Sequence, residues 1–100
     1  MFTDYIENQD YLFKRSVLQI LNQFIPIRIR NIATANYFDI DAVVSKLSDI
    51  LLLSRDLEQL KEAIVQVEFS LIEICKKHDI DNFSIDLSVL EKKLLCIPYS

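Results

Sequence analysis

The sequence predicts an all-α protein, a small bundle of four to five helices. Apolar residues recur with helical rather than strand spacing over most of the chain. Glycine is absent from all 100 residues, and neither glycine nor proline occurs between Ile27 and Ile97. Because tight β-hairpins usually depend on glycine, this composition favours long helices joined by turns that Asn and Asp mark.

A chain of this length forms one domain at most. We expect a flexible lead-in at 1–9 and a single helical domain at 10–97. Apolar residues make up 51% of the chain and the mean hydropathy is positive, which is high for a small monomer. The surplus of apolar residues therefore predicts contact with a second copy or with another protein.

The first helix is predicted over 10–25. Asp10 is a suitable N-cap, and Pro26 ends the helix because the residue before a proline avoids helical geometry. The apolar positions fall on one helical stripe, at i, i+4, i+7, i+8 and i+11: Phe13, Val17, Ile20, Leu21 and Phe24.

The second element, at 27–37, can be interpreted in two ways. The alternation Ile27-Arg28-Ile29-Arg30 fits a strand with two different faces. We favour a helix, because proline suits the position that opens a helix and no second strand candidate exists to pair with a strand here.

The segment 39–77 carries the clearest pattern, a heptad seam with spacings of 3 and 4 over more than three heptads. The polar cluster Ser54-Arg55-Asp56 favours two helices, at 39–53 and 55–77, although one long helix would suit a dimer. We expect the seam to form the interface with a partner or a second copy: Ile50, Leu53, Leu57, Leu60, Ile64, Val67, Leu71 and Ile74.

The last helix is predicted over 84–96 and is stopped by Pro98. Leu87, Leu90 and Leu94 form its apolar stripe.

The charges argue against a general nucleic-acid binder. The formal net charge is −4, and residues 37–100 carry twelve acids against seven bases. Residues 1–36 carry three acids against four bases, and these four bases form the candidate basic contact face: Lys14, Arg15, Arg28 and Arg30.

A helix-turn-helix regulator is the alternative function, with Arg28 and Arg30 as phosphate contacts. The stretch "IRNIATANYFDIDAVVSKL" has helix-turn-helix spacing. However, the recognition helix would open with Asp39 and Asp41, whose carboxylates would face phosphates. The charges therefore disfavour nucleic acid as a partner.

No catalytic residue, metal site or cofactor is expected. A phosphate-binding or dinucleotide-binding loop requires glycine. The sole histidine, His78, follows Cys75 by three residues, and Cys96 could approach, but structural zinc usually has four nitrogen or sulfur ligands. A buried cysteine beside a histidine that ends a helix is the simpler interpretation.

The sequence thus predicts a non-enzymatic interaction protein, an adaptor, chaperone or regulator that acts as a homodimer. We expect it in the cytoplasm, because two cysteines do not make a disulfide framework and no secretory signal opens the chain. The longest uninterrupted apolar run is Ile50–Leu53, so no segment is expected to cross a membrane.

Overall fold

The computed structural model describes the backbone of residues 2–98 and the side chains of residues 10–98. Within that range it contains helices and no strand, which confirms the all-α class. A five-residue π-helical turn, Ile50–Ser54, continues the third helix. The helices are α1 (Phe2–Phe24), α2 (Ile27–Ala35), α3 (Ile40–Asp49), α4 (Leu57–Lys77) and α5 (Leu87–Leu95).

Two of the predicted helix starts are wrong. α1 begins at Phe2 rather than near residue 10, and Met1 lies outside the described residues. Asp10 does not cap this helix but lies inside it, with its carboxylate 3.5 Å from the Lys14 ammonium one turn later. α5 begins at Leu87 rather than 84, because the Asp86 carboxylate is the group that accepts from the Val89 amide.

The stretch 27–37 is helical over Ile27–Ala35, so the preference for helix over strand is confirmed. Pro26 stands immediately before the first helical residue, where its missing N–H costs no helical hydrogen bond. The Arg30 Nε donates to the Ile25 carbonyl at 3.1 Å and so satisfies a backbone acceptor at the end of α1.

The segment 39–77 is two helices rather than one, with the break where the polar cluster predicted it. Arg55 adopts a left-handed backbone (φ 51°), and its N–H donates to the Ile50 carbonyl, which closes the π turn. The Asp56 carboxylate then accepts from the amides of Glu58 and Gln59 and starts α4. The heptad seam is therefore interrupted after its first two residues.

The helices enclose one apolar core. α1 packs mainly on α3 and α5, α2 packs on α4, and α4 also packs on α5 and more lightly on α3. The core residues with the largest fully buried side chains come from α1 and the residue after it, and from α3, α4 and α5: Leu21, Ile25, Leu47, Leu60, Ile64, Leu71, Leu90 and Leu94. Among the described residues, no helix combines the length and apolarity that crossing a membrane requires.

The helices α2 and α4 end in the same way without glycine. Tyr37 (φ 66°) and Asp79 (φ 59°) take the left-handed position after each helix. After α2, Tyr37 donates to the Thr34 carbonyl and Phe38 to the Ala33 carbonyl, the Schellman pattern. A side chain with a Cβ is strained in this conformation, and Tyr37 is almost fully exposed, so its ring provides little packing in return.

Replacing Tyr37 by glycine should therefore raise the free energy of unfolding by about 1 kcal/mol, measured by urea denaturation. Ala35→Gly is the control, because residue 35 is still helical and glycine there should cost about 1 kcal/mol. If both substitutions destabilise the protein equally, the left-handed strain at Tyr37 is not a significant cost.

Candidate functional site

An apolar cavity where α3 gives way to α4 is called here the end cleft. Its volume is about 310 Å³, enough for one or two large side chains of a partner. Arg55 and Asp56 supply its charged lining. Its apolar lining residues are Phe13, Ile50, Leu51, Leu57, Leu60, Leu94, Leu95 and Ile97.

The end cleft is lined by residues from α1, α4 and α5 and from the π turn that follows α3. Phe13 lies at the middle of α1, Ile50 follows α3, Leu60 is in the first turn of α4, and Leu94 is in the last turn of α5. The reversal at Arg55–Asp56 brings the π turn and the start of α4 to the same end. The cleft is therefore a product of the break between α3 and α4.

Three exposed leucines surround the end cleft and are called here the leucine rim: Leu53, Leu57 and Leu95. Their exposed fractions are 79%, 48% and 48%. Leu57 and Leu95 line the cleft directly, and Leu53 belongs to the π turn that adjoins it. In an α-helix, each backbone N–H donates to the carbonyl four residues earlier. In the π turn, the Arg55 N–H donates to the Ile50 carbonyl five residues earlier. This extra residue in the turn shifts the side chains around the helix axis, and Leu53 faces solvent.

The structure divides the eight predicted interface residues among different environments. Leu60, Ile64, Val67 and Leu71 are buried in the core of the single chain, so they are not available as exposed anchors for a partner. Ile50 is buried and Ile74 is half-buried against the core. Only Leu53 and Leu57 remain exposed, and the prediction that the whole seam forms an interface is wrong for the buried positions.

The physical reason is that α4 has neighbours on several sides within its own chain. The seam on α4 meets α2, α3 and α5, which together exclude water from it. A heptad pattern specifies that a helix packs lengthwise, but does not specify whether the neighbour comes from the same chain.

Sequence reasoning missed five of the eight apolar cleft residues: Phe13, Leu51, Leu94, Leu95 and Ile97. Phe13 and Leu94 were predicted on the apolar stripes of their helices, which is where they lie. No pattern in the sequence, however, predicted that these two stripes meet at the end cleft. Leu95 carried a usable signal, since it lies next to the α5 stripe and off it, where an apolar residue has no core to enter.

The four predicted basic residues do not form one face. Lys14 lies near the Asp10 carboxylate on α1, whereas Arg30 lies on α2, beyond the far end of α1. The ten residues from Lys14 to Phe24 alone span about 15 Å of helix. Arg15 and Arg28 are exposed, but Arg30 is half-buried and bonds the Ile25 carbonyl.

The order helix, turn, helix is present at α2–α3, but the packing differs from that of a helix-turn-helix motif. α2 packs mainly on α4 rather than on α3. The Asp39 carboxylate caps α3 by accepting from the Ala42 amide at 3.1 Å, and Asp41 follows in the first turn. The end of α3 that would enter the major groove therefore presents two carboxylates, which disfavours contact with phosphates.

The two thiols lie at opposite ends of the bundle. Cys75 is fifteen residues beyond Leu60 on α4, about 22 Å from the end cleft, whereas Cys96 follows the cleft residue Leu95. Cys96 therefore does not approach the Cys75–His78 pair. Among the described residues, no group of three or more His, Cys, Asp or Glu side chains is placed to hold a metal ion.

Cys75 and His78 do not form an activated thiol–imidazole pair. Cys75 is buried, and this burial raises the pKa of its thiol above the ordinary value, which keeps it neutral. The His78 Nε2 lies 3.1 Å from the Asn36 Nδ2, which also donates to the Ile32 carbonyl. His78 thus joins the ends of α4 and α2.

Thiol labelling with a disulfide reagent near pH 8 should modify one cysteine rapidly, Cys96, because it is exposed. Cys75 should react only as the protein unfolds. Cys96→Ser should abolish the rapid phase and leave the slow one, and Cys75→Val should do the reverse. A rapid reaction of two thiols in the folded protein would contradict the burial of Cys75.

Comparison with protein-family models, curated proteins and solved structures finds no significant match. The function is therefore argued from the geometry of the chain itself.

Proposed function

We propose that this protein is a non-enzymatic helical interaction module, an adaptor, chaperone or regulator, that forms a homodimer through the leucine rim and the end cleft. The observation that carries the proposal is that the exposed Leu57 and Leu95 line one apolar cavity, and that the exposed Leu53 lies in the π turn that supplies Ile50 and Leu51 to the same cavity. A contiguous exposed apolar patch beside a cavity is typical of protein interaction sites.

The size of the patch fits a modest dimer. The exposed fractions of the rim leucines, together with the half-buried cleft residues, correspond to on the order of 400 Å² of apolar surface. Apolar atoms form about 57% of a typical interface, so two such patches correspond to a total buried area of roughly 1,400 Å². That value lies within the range of specific interfaces, and we expect a dissociation constant in the micromolar range.

The charges around the end cleft permit self-association. A two-fold axis brings the same patch of both protomers together, so a patch of a single sign would repel itself. Arg55 and Asp56 line the cleft with opposite signs, and the adjacent end of α5 carries Glu91 beside Lys92 and Lys93. The acidic excess of the chain is therefore not concentrated at this end.

A cytoplasmic location belongs to the same proposal. Cys75 and Cys96 are free thiols at opposite ends of the bundle and cannot reach each other to form a disulfide. A reducing compartment suits a chain whose exposed Cys96 lies at the proposed interface.

Analytical ultracentrifugation across micromolar concentrations tests the dimer. The double variant Leu53→Asp/Leu57→Asp should raise the dissociation constant at least tenfold, because it places two carboxylates in each half of an apolar contact. Both positions are exposed enough to tolerate the change, and aspartate at the first residue of α4 suits the helix dipole.

The matched control is Ile27→Asp/Phe69→Asp. Ile27 is also the first residue of its helix and is 65% exposed, and Phe69 is 59% exposed on the outer side of α4. This control should associate like the unmodified protein. A protein that stays monomeric at every concentration, or a dimer that both double variants weaken equally, would exclude the leucine rim as the interface.

A further inference from the structure

The first half of α1, residues 2–12, extends beyond the end cleft and is called here the α1 overhang. Phe13 lines the end cleft, and among the described side chains of α1 it is the first that packs against the core. The three residues before it, Asp10, Tyr11 and Leu12, are all exposed. Successive residues of an α-helix point about 100° apart, so a helix exposed at three successive positions is covered on little of its circumference.

The dimensions of the molecule agree with an overhang. α4 begins at the end cleft with Leu57, and its 21 residues are about 31 Å long. The α1 overhang adds about 16 Å on the other side of Phe13. The two lengths together account for most of the longest dimension of the molecule, which is 49 Å.

The α1 overhang cannot reach the end cleft of its own chain. α1 is a continuous helix from Phe2 to Phe24, and it contains neither proline nor glycine, at which helices usually kink. The Asp10 carboxylate lies 3.5 Å from the Lys14 ammonium, across the turn where the helix leaves the core. Because the overhang cannot fold back, only a second molecule can cover it.

The register of the overhang continues the apolar stripe of α1. Phe2 and Ile6 stand eleven and seven positions before Phe13, which places them within about 20° of it around the helix. Inside the bundle, α1 packs on α3 and α5. The proposed dimer brings two end clefts together, so each overhang passes alongside the end cleft of the partner.

The charges of the overhang disfavour contact between two overhangs. Residues 1–12 carry three acids and no base: Asp4, Glu7 and Asp10. A two-fold contact of one overhang with the other would bring the acids of both chains into one interface. The end cleft has no such excess, since Arg55 and Asp56 are its charged lining residues. The cleft of the partner is therefore the favoured contact.

We infer that the α1 overhang of each protomer binds the end cleft of its partner, so that two reciprocal helix-in-cleft contacts hold the homodimer. The inference rests on the proposed function and names what fills the end cleft. Each cleft has room for one or two large side chains, and a helix with apolar residues at positions 2 and 6 supplies them one turn apart. The leucine rim surrounds this contact and excludes water from it.

Analytical ultracentrifugation of Ile6→Asp tests the contact by affinity. The variant should raise the dissociation constant of the dimer at least tenfold, because it places a carboxylate in an apolar contact. The matched control is Asn8→Asp, which adds the same charge to the overhang two positions later, on the opposite side of the helix. It should change the dissociation constant by less than about twofold.

A spin label locates the overhang in the dimer. The label is attached to the variant Asn8→Cys/Cys96→Ser, from which the exposed native thiol has been removed. This chain is mixed with isotope-labelled unmodified protein, so that broadening of amide signals reports only contacts between chains. The signals of residues 53–57 and 94–97 should broaden. A label on Asp81→Cys/Cys96→Ser, in the exposed stretch after α4, should leave them unchanged.

The outcomes distinguish the inference from the proposed function. If Leu53→Asp/Leu57→Asp weakens the dimer but Ile6→Asp does not, and no signal of the end cleft broadens, the dimer stands and the overhang contact is wrong. Broadening confined to residues 2–12 of the isotope-labelled chain would show two overhangs in contact and would also overturn the inference. If the unmodified protein is monomeric at every concentration, the proposed function fails and the inference fails with it.

Discussion

Leu71→Ala should lower the free energy of unfolding by about 3–4 kcal/mol. The Leu71 side chain has no exposed surface and packs in the single core of the bundle. Truncating it removes the transfer free energy of three carbons and leaves a cavity that a close-packed core refills only in part. Urea denaturation followed by circular dichroism measures the loss.

Leu53→Ala is the matched control, because Leu53 belongs to the same heptad seam but is 79% exposed. At protein concentrations below the expected micromolar dissociation constant, where the proposed dimer does not contribute, it should change the stability by less than about 0.5 kcal/mol. If Leu71 instead served a dimer interface, the loss caused by Leu71→Ala would vary with protein concentration, because association stabilises a fold by mass action. Equal and concentration-dependent losses for both variants would contradict the core assignment.

Glu68→Ala should lower the free energy of unfolding by about 2 kcal/mol. The Glu68 Oε2 accepts a hydrogen bond from the Ile85 amide at 2.7 Å, across seventeen residues of chain. That bond holds the segment between α4 and α5, where Ile85 is buried and Phe83 packs against the core. Without the carboxylate, the Ile85 amide loses its acceptor in a partly buried site.

Two variants isolate the contribution of this bond. Glu68→Gln keeps an oxygen acceptor and should recover about half of the loss. Glu73→Ala removes an exposed glutamate from the same helix and should cost less than about 0.5 kcal/mol. Hydrogen exchange at the Ile85 amide should accelerate in Glu68→Ala, and unchanged protection there would show that another contact holds the segment.

Much of the secondary structure followed from local chemistry. Pro26 ends the first helix, the polar residues at 54–56 mark the break, and Lys76 and Lys77 occupy the last turn of α4. These features act within a few residues of where they occur, so they can be recognised in a sequence. The start of α1 was missed because Asp10 can be either a cap or a partner of Lys14, and only the preceding backbone decides between them.

The candidate site depends on contacts between helices that are far apart in the chain, and no sequence pattern specifies these contacts. Phe13 and Leu95 meet at the end cleft because α5 packs against α1, although 82 positions separate them in the chain. The heptad spacing predicted Leu53 in the interface, and Leu53 is indeed exposed. Its exposure, however, comes from its place in the π turn rather than from the heptad pattern.

The sequence alone determined the helical class and the position of the main break, because helical periodicity, caps and proline act over short distances. The tertiary structure decided which apolar residues became the core and which became surface. A leucine at heptad spacing must pack against some neighbour, but only the arrangement of helices supplies that neighbour. Leu71 therefore lies in the core and Leu53 in solvent, although the same pattern contains both.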